Sequence, residues 1–181
     1  MIKSYLITDP SFYQPSVKSF SNYLQTVYQK HHVDFACFRD KKNQNIKELA
    51  YAFLKLSSDK KTLINGDVDL AYKLGFFGVH LRSDQFDKIS EAKSKDLFTI
   101  ISTHTKEEVR KADSLGVDAI TYSPIFETPN KGKPKGIEEL KEIVLGSKLK
   151  VFALGGIISN KEIAKCIESK AYGFASIRYF N

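Results

Sequence analysis

The amino-acid sequence predicts an α/β fold: a small TIM-type (β/α)8 barrel of near-minimal units with the eighth helix missing. Short apolar runs rich in β-branched and aromatic residues alternate with longer stretches of helical period, the pattern of repeated βα units rather than of a sandwich. Eight such runs occur, at residues 2–8, 33–38, 62–65, 77–81, 97–102, 119–123, 150–154 and 172–178, and eight parallel strands close a barrel.

Helical stretches lie between them, at 16–29, 46–56, 67–74, 105–115, 137–145 and 160–169, while the less regular segment 82–96 predicts one helical turn or two. Thr105 and Glu108 match a capping box, in which hydroxyl and carboxylate satisfy orphan amides of the first turn. Gly75, Gly116 and Gly146 stand where helices should stop, since glycine accepts the left-handed conformation of a C-terminal cap.

With 181 residues, 42% of them hydrophobic, the chain suits one domain spanning 1–181, and no repeat or linker argues for a second. A barrel of this kind usually takes roughly 250 residues. The eighth run ends just before Asn181, which leaves no room for a last helix. Outward side chains of the first and last strands should then be uncovered, and a contiguous apolar patch marks an interaction surface. A homo-oligomer covering that gap is expected.

Twenty-eight basic against 21 acidic residues give a formal charge of +7. The lysines scatter through helical stretches as on a solvated face, and no basic stripe is interleaved with aromatics, so no nucleic-acid partner is expected. Cys37 and Cys166 are too few and too far apart for a disulfide scaffold or a zinc knuckle and read as buried thiols. No apolar run approaches about 18 residues, and the N-terminal run lacks a small-residue cleavage site. A cytoplasmic setting with no membrane partner is expected.

In such barrels the site lies at the C-terminal ends of the strands. Polar residues gather there: Arg39, Asp40 and Lys41 after the second run, Asn65 after the third, His80 to Asp84 after the fourth, and Ser102 and His104 after the fifth. Ser123 to Lys135 follow the sixth run, Gly155 and Gly156 the seventh, and Arg178 ends the eighth. Gly155-Gly156 sits between an apolar strand and a helix start, where backbone amides can approach a phosphate closely. The phosphate site of many barrels is built from the loops after strands seven and eight.

An ordered series of motifs spans nearly the whole chain: Tyr5 to Asp9, Phe38 to Lys41, Leu63 to Ala71, Gly78 to Leu81, Ser102 to Glu108, Ser123 to Lys131 and Ala153 to Ile157. In this series the sequence resembles the thiamine-phosphate synthase/TenI family. The resemblance implies a small phosphorylated thiazole as ligand.

The family's synthase branch joins hydroxymethylpyrimidine diphosphate to a thiazole phosphate and expels pyrophosphate. That expulsion calls for Mg2+ and cationic side chains to neutralise the leaving charge. There the third strand ends in Asn-Asp, but here the pair is Asn65-Gly66, and Asp84 falls about one place early as a weak metal candidate. At these departures the sequence resembles the TenI branch, in Asn65-Gly66 and in Phe126-Glu127-Thr128. That branch implies a metal-independent thiazole tautomerase with no cofactor, in which a histidine after the fifth strand relocates a proton on a carboxythiazole phosphate.

The matching residue is His104, and an imidazole, with an unperturbed pKa of about 6.5, both gives and takes a proton near neutrality. Gly155, Gly156 and Arg178 are the expected phosphate cradle; Arg178 stands where the family commonly has a small residue, so its bulk either replaces lost donors or closes the pocket. Arg39, Lys41, Asn65, Ser102, Glu127, Thr128 and Lys131 are the expected substrate contacts. Tautomerase is the leading expectation. The alternatives are a divergent thiamine-phosphate synthase and a thiazole-phosphate-binding protein without catalysis. His80, inside an apolar run, reads as a structural residue behind the site.

Overall fold

A computed structural model describes residues Met1–Asn181. The strands β1 (Lys3–Ile7), β2 (Phe35–Phe38), β3 (Lys61–Asn65), β4 (Gly78–Leu81), β5 (Phe98–Thr103), β6 (Ala119–Tyr122), β7 (Lys150–Leu154) and β8 (Gly173–Ser176) follow one another round a closed parallel barrel. β8 returns to β1 with Lys3 opposite Gly173 and Leu6 opposite Ser176. Outside lie α1 (Val17–Lys30), α2 (Ile46–Leu56), α3 (Val68–Leu74), α4 (Ile89–Ser94), α5 (Lys106–Ser114), α6 (Gly136–Gly146) and α7 (Asn160–Glu168). The irregular stretch 82–96 resolves into a 3-10 turn, Phe86–Lys88, running into α4. No helix is long and apolar enough to cross a membrane.

Alternation along each strand sorts side chains between two cores. Tyr5, Ile7, Phe35, Cys37, Leu63, Ile100, Ala119, Phe152 and Ala175 point inward and fill the barrel, while Leu6, Ala36, Phe38, Ile64 and Val79 point outward against the helices. Within the barrel the rings of Tyr5, Phe35 and Phe152 meet at centroid distances of 5.2–5.9 Å. Such aromatic pairs add about 0.5–1.5 kcal/mol each beyond the area they bury. A side chain at Gly173 would overlap the Phe152 ring, so glycine at the base of β8 makes room for that plug.

Local signals explain most helix ends. Ser16 accepts from Ser19 N, Asp67 accepts from Leu70 N, and Thr105 with Glu108 forms the expected capping box. Ser159 and Glu162 form a second box on α7. Gly75 and Gly116 take φ of +74° and +71° as left-handed caps. Gly146 does not: it is the last residue of α6, and the chain leaves through an extended Ser147.

The expectation of an uncovered strand seam is corrected. β8 ends at Ser176, not at residue 178, and Arg178–Phe180 forms a 3-10 turn that folds back over the outside of the barrel. Phe180, 3% exposed, stacks on outward-facing Phe174 at 6.0 Å and meets the His31 ring edge-on. Leu6 and Phe174 are therefore buried within the chain itself. Phe180→Ala is expected to lower unfolding free energy by about 3 kcal/mol, as for a large aromatic removed from a core. Urea denaturation checks it; an unchanged midpoint would show that the terminal turn does not seal the seam.

Candidate active site at the barrel mouth

Above the Tyr5–Phe35–Phe152 plug the barrel opens at the C-terminal ends of the strands into a cavity of about 720 Å³. The cavity brings together Arg39, Lys41, Asn65, Ser102, His104, Thr128, Lys131, Gly155, Gly156 and Arg178 from the sequence-derived set. Two residues of that set fall outside it. Glu127 is exposed and does not line the cavity, and only its carbonyl lies against Gly156. Asp84 also points away, its side chain 70% exposed and paired with Arg82 at 3.1 Å.

The floor is a buried polar chain. Tyr5 Oη shares a hydrogen bond of 2.9 Å with His80 Nδ1, and His80 Nε2 shares one of 3.0 Å with Ser102 Oγ. Burial, helped by Arg39, holds the His80 pKa down to about 4, so the imidazole is neutral at pH 7. His80 thus both supports the barrel and reaches the cavity, which its place in an apolar run concealed.

On the wall, His104 Nδ1 lies 3.0 Å from the Ser123 carbonyl. A carbonyl oxygen only accepts, so this bond places a proton on Nδ1, with Ser123 Oγ also 3.2 Å away, and in the neutral ring the lone pair is then on Nε2. His104 is fixed from behind by its own amide, which donates to Glu108 Oε2 at 2.5 Å. The capping box of α5 thereby also sets the position of this imidazole.

Gly155 and Gly156 adopt φ of +96° and +70°. A Cβ on Gly155 would stand 2.8 Å from Pro124 Cα, and one on Gly156 2.5 Å from the Glu127 carbonyl. The loop after β6 lies directly over the turn, latched by Ile125 N donating to Leu154 O and Phe126 N to Gly155 O. Glycine is required by that contact as well as by any ligand. The amides of Gly156 and Ile157 make no hydrogen bond within the chain, and both residues line the cavity. They are donors available to an anion.

Opposite, Ser176 Oγ donates to Ile157 O at 2.8 Å and accepts from Tyr179 N. The serine at this strand end is thus Ser176, two residues before Arg178, and Arg178 belongs to the turn that Ser176 caps. Both line the cavity, so Arg178 does not fill it. Arg82, Asp9 and Ser176 line the cavity without having been assigned a role from the sequence, although Arg82 lies in the polar stretch noted after the fourth run and Asp9 ends the first motif.

Residues 4–180 match the sequence model of the thiamine monophosphate synthase family. A relative from Aquifex aeolicus, provisionally named thiamine-phosphate synthase 2, is 33% identical over 97% of this chain and 96% of its own length. The chain belongs to the thiamine monophosphate synthase family. The Pelotomaculum thermopropionicum thiamine-phosphate synthase shares 36% identity over 52% of this chain and 46% of its own length. In fold, the chain matches a Pyrococcus furiosus thiamine phosphate pyrophosphorylase with a TM-score of 0.76 and 24% identity, covering 97% of this chain and 85% of that one. It matches a Clostridium perfringens N-acetylmannosamine-6-phosphate 2-epimerase equally well in shape, with a TM-score of 0.78, 15% identity and coverage of 99% and 87%.

The Mg2+ of the family's synthases needs oxygen ligands, chiefly carboxylates. Here the residue after Asn65 is Gly66, and the space its side chain would take holds the Arg82 guanidinium, with Nη1 2.8 Å from an ideal Cβ. Asp9 is the lone carboxylate lining the cavity, and Arg39 Nη1 donates to it at 2.6 Å. Nowhere do three or more His, Cys, Asp or Glu side chains group as a metal site. This donor set does not fit the metal.

Burial of neutral His80 has a measurable consequence. Above pH 6.5 neither folded nor unfolded chain protonates it. Below that the unfolded chain takes the proton first, so stability falls with pH until the folded pKa of about 4 is reached. The loss is expected to be about 3 kcal/mol across this window. Urea midpoints of His80→Gln between pH 7 and 4 should fall less than those of the native chain, and parallel slopes would refute the assignment.

Proposed function

We propose that the chain is a thiamine-phosphate synthase that works with protein cations in place of a metal centre. The observation that carries this reading is the charge of the mouth: Arg39, Lys41, Arg82, Lys131 and Arg178 line one cavity with Asp9 as its sole carboxylate. Its relatives' names favour the same activity. In this reaction the thiazole nitrogen attacks the methylene carbon of hydroxymethylpyrimidine diphosphate, a C–N bond forms, and the C–O bond breaks. Pyrophosphate leaves with the electron pair and the ring nitrogen becomes cationic. A site that holds fixed positive charge where negative charge develops lowers that barrier. In this reading the free amides of Gly156 and Ile157 take the thiazole phosphate, and the cations across the mouth take the diphosphate.

A second reading, the thiazole tautomerase, is favoured by His104, whose anchored Nδ1 leaves Nε2 able to lift a proton and return it elsewhere on the ring. It demands no leaving group and suits a mouth poor in carboxylates.

One pair of assays separates them. With both synthase substrates the protein is expected to release thiamine phosphate and pyrophosphate in equal amounts, read by liquid chromatography, and Lys131→Ala should lower kcat/KM about 100-fold. Absence of thiamine phosphate overturns the synthase reading. Conversion of the carboxythiazole tautomer that falls about 100-fold or more in His104→Ala would then establish the tautomerase. Calorimetric binding of thiazole phosphate with both assays silent would leave a binding protein.

A further inference from the structure

We infer that Arg82 is a built-in counter-ion for the diphosphate, standing at the end of β3 where the family's metal carboxylate would project. The inference rests on the synthase reading and extends it to a residue that neither the sequence motifs nor the family resemblance singled out.

The geometry around Gly66 makes the case. Gly66 has a φ of +77°, and any side chain added there would meet Arg82 Nη1 at 2.8 Å and Gln85 Oε1 at 3.1 Å. Glycine therefore opens the space that the guanidinium fills. The arrangement is held from several directions: Gln85 Nε2 donates to Gly66 O at 2.9 Å, Arg82 N donates to Gln85 Oε1 at 3.0 Å, and Gly66 N donates to His80 O at 2.9 Å. Gln85 thus clasps the loop after β3 to the loop after β4, and Arg82 is the side chain presented between them.

Orientation matters as much as position. Asp84 binds Arg82 Nε at 3.1 Å, while neither Nη group has a partner within the chain. An arginine held by Nε presents its two terminal nitrogens as a fork, the geometry that grips two phosphate oxygens at once. Arg82 is 46% exposed in its side chain and lines the same cavity as Arg39, Lys41 and Lys131. Where a carboxylate at the end of β3 would recruit a divalent cation to the diphosphate, this chain has Gly66 and brings a permanent monovalent cation, with Asp84 bound behind it on Nε.

The test is pyrophosphate binding by titration calorimetry, in EDTA and in millimolar Mg2+. The native chain is expected to bind equally well in both within about twofold. Arg82→Gln is expected to weaken binding at least 10-fold, with no rescue by Mg2+, and Arg82→Lys to recover only part of it, because an ammonium lacks the fork. Urea denaturation of both variants controls for folding. Native-like affinity in Arg82→Gln, native binding that needs Mg2+, or no binding by the native chain overturns the inference. Thiamine phosphate formed only with Mg2+ would sink this inference and the metal-free part of the proposed function, while leaving synthase activity itself standing. Arg82-dependent, Mg2+-independent binding without thiamine phosphate would do the reverse.

Discussion

Closure of β8 onto β1 is the constraint on which everything else rests. Residues 39, 65, 82, 104, 131, 155 and 178 are scattered along the sequence, and only a ring of parallel strands carries all their loops to one rim. The ring in turn depends on its filling. Side chains such as Phe35 and Phe152 must occupy the axis without gaps, and small residues such as Gly173 and Ala175 must stand opposite them. Large facing small is how a barrel of this size reaches interior packing density.

Above the filling the rim is organised by polarity. Most buried polar groups there are joined, Tyr5 to His80 to Ser102, Ser176 to Ile157, and His104 to Ser123 and Glu108, while Thr121 Oγ1 alone stays unpartnered. A polar group buried alone would cost about 1–3 kcal/mol, so such linkage keeps the rim in one conformation. The cations are less restrained, since only Arg39 and Arg82 have carboxylate partners within the chain.

Most of the architecture was legible because it depends on local chemistry. Strand alternation, the Thr105 cap and the Gly75 and Gly116 stops each act within a few residues, and each holds in the folded chain. What was not legible depends on approach through space. That Glu127 would face solvent follows from how the β6 loop lies on Gly155 and Gly156, and that Phe180 would cover Phe174 follows from a reversal after Ser176. His80 was read as a structural residue, but its partners could not be named, because Tyr5 and Ser102 come from other strands.

The plug of aromatic rings has a kinetic consequence. Tyr5, Phe35 and Phe152 are at most 1% exposed, so nothing crosses the barrel along its axis, and the mouth serves as both entrance and exit. Any ligand of such a dead-end vessel must leave by the opening it entered, so an occupant near the rim would detain one bound beneath it. The shape of the container thus governs traffic through it, before any preference of one ligand for another is considered.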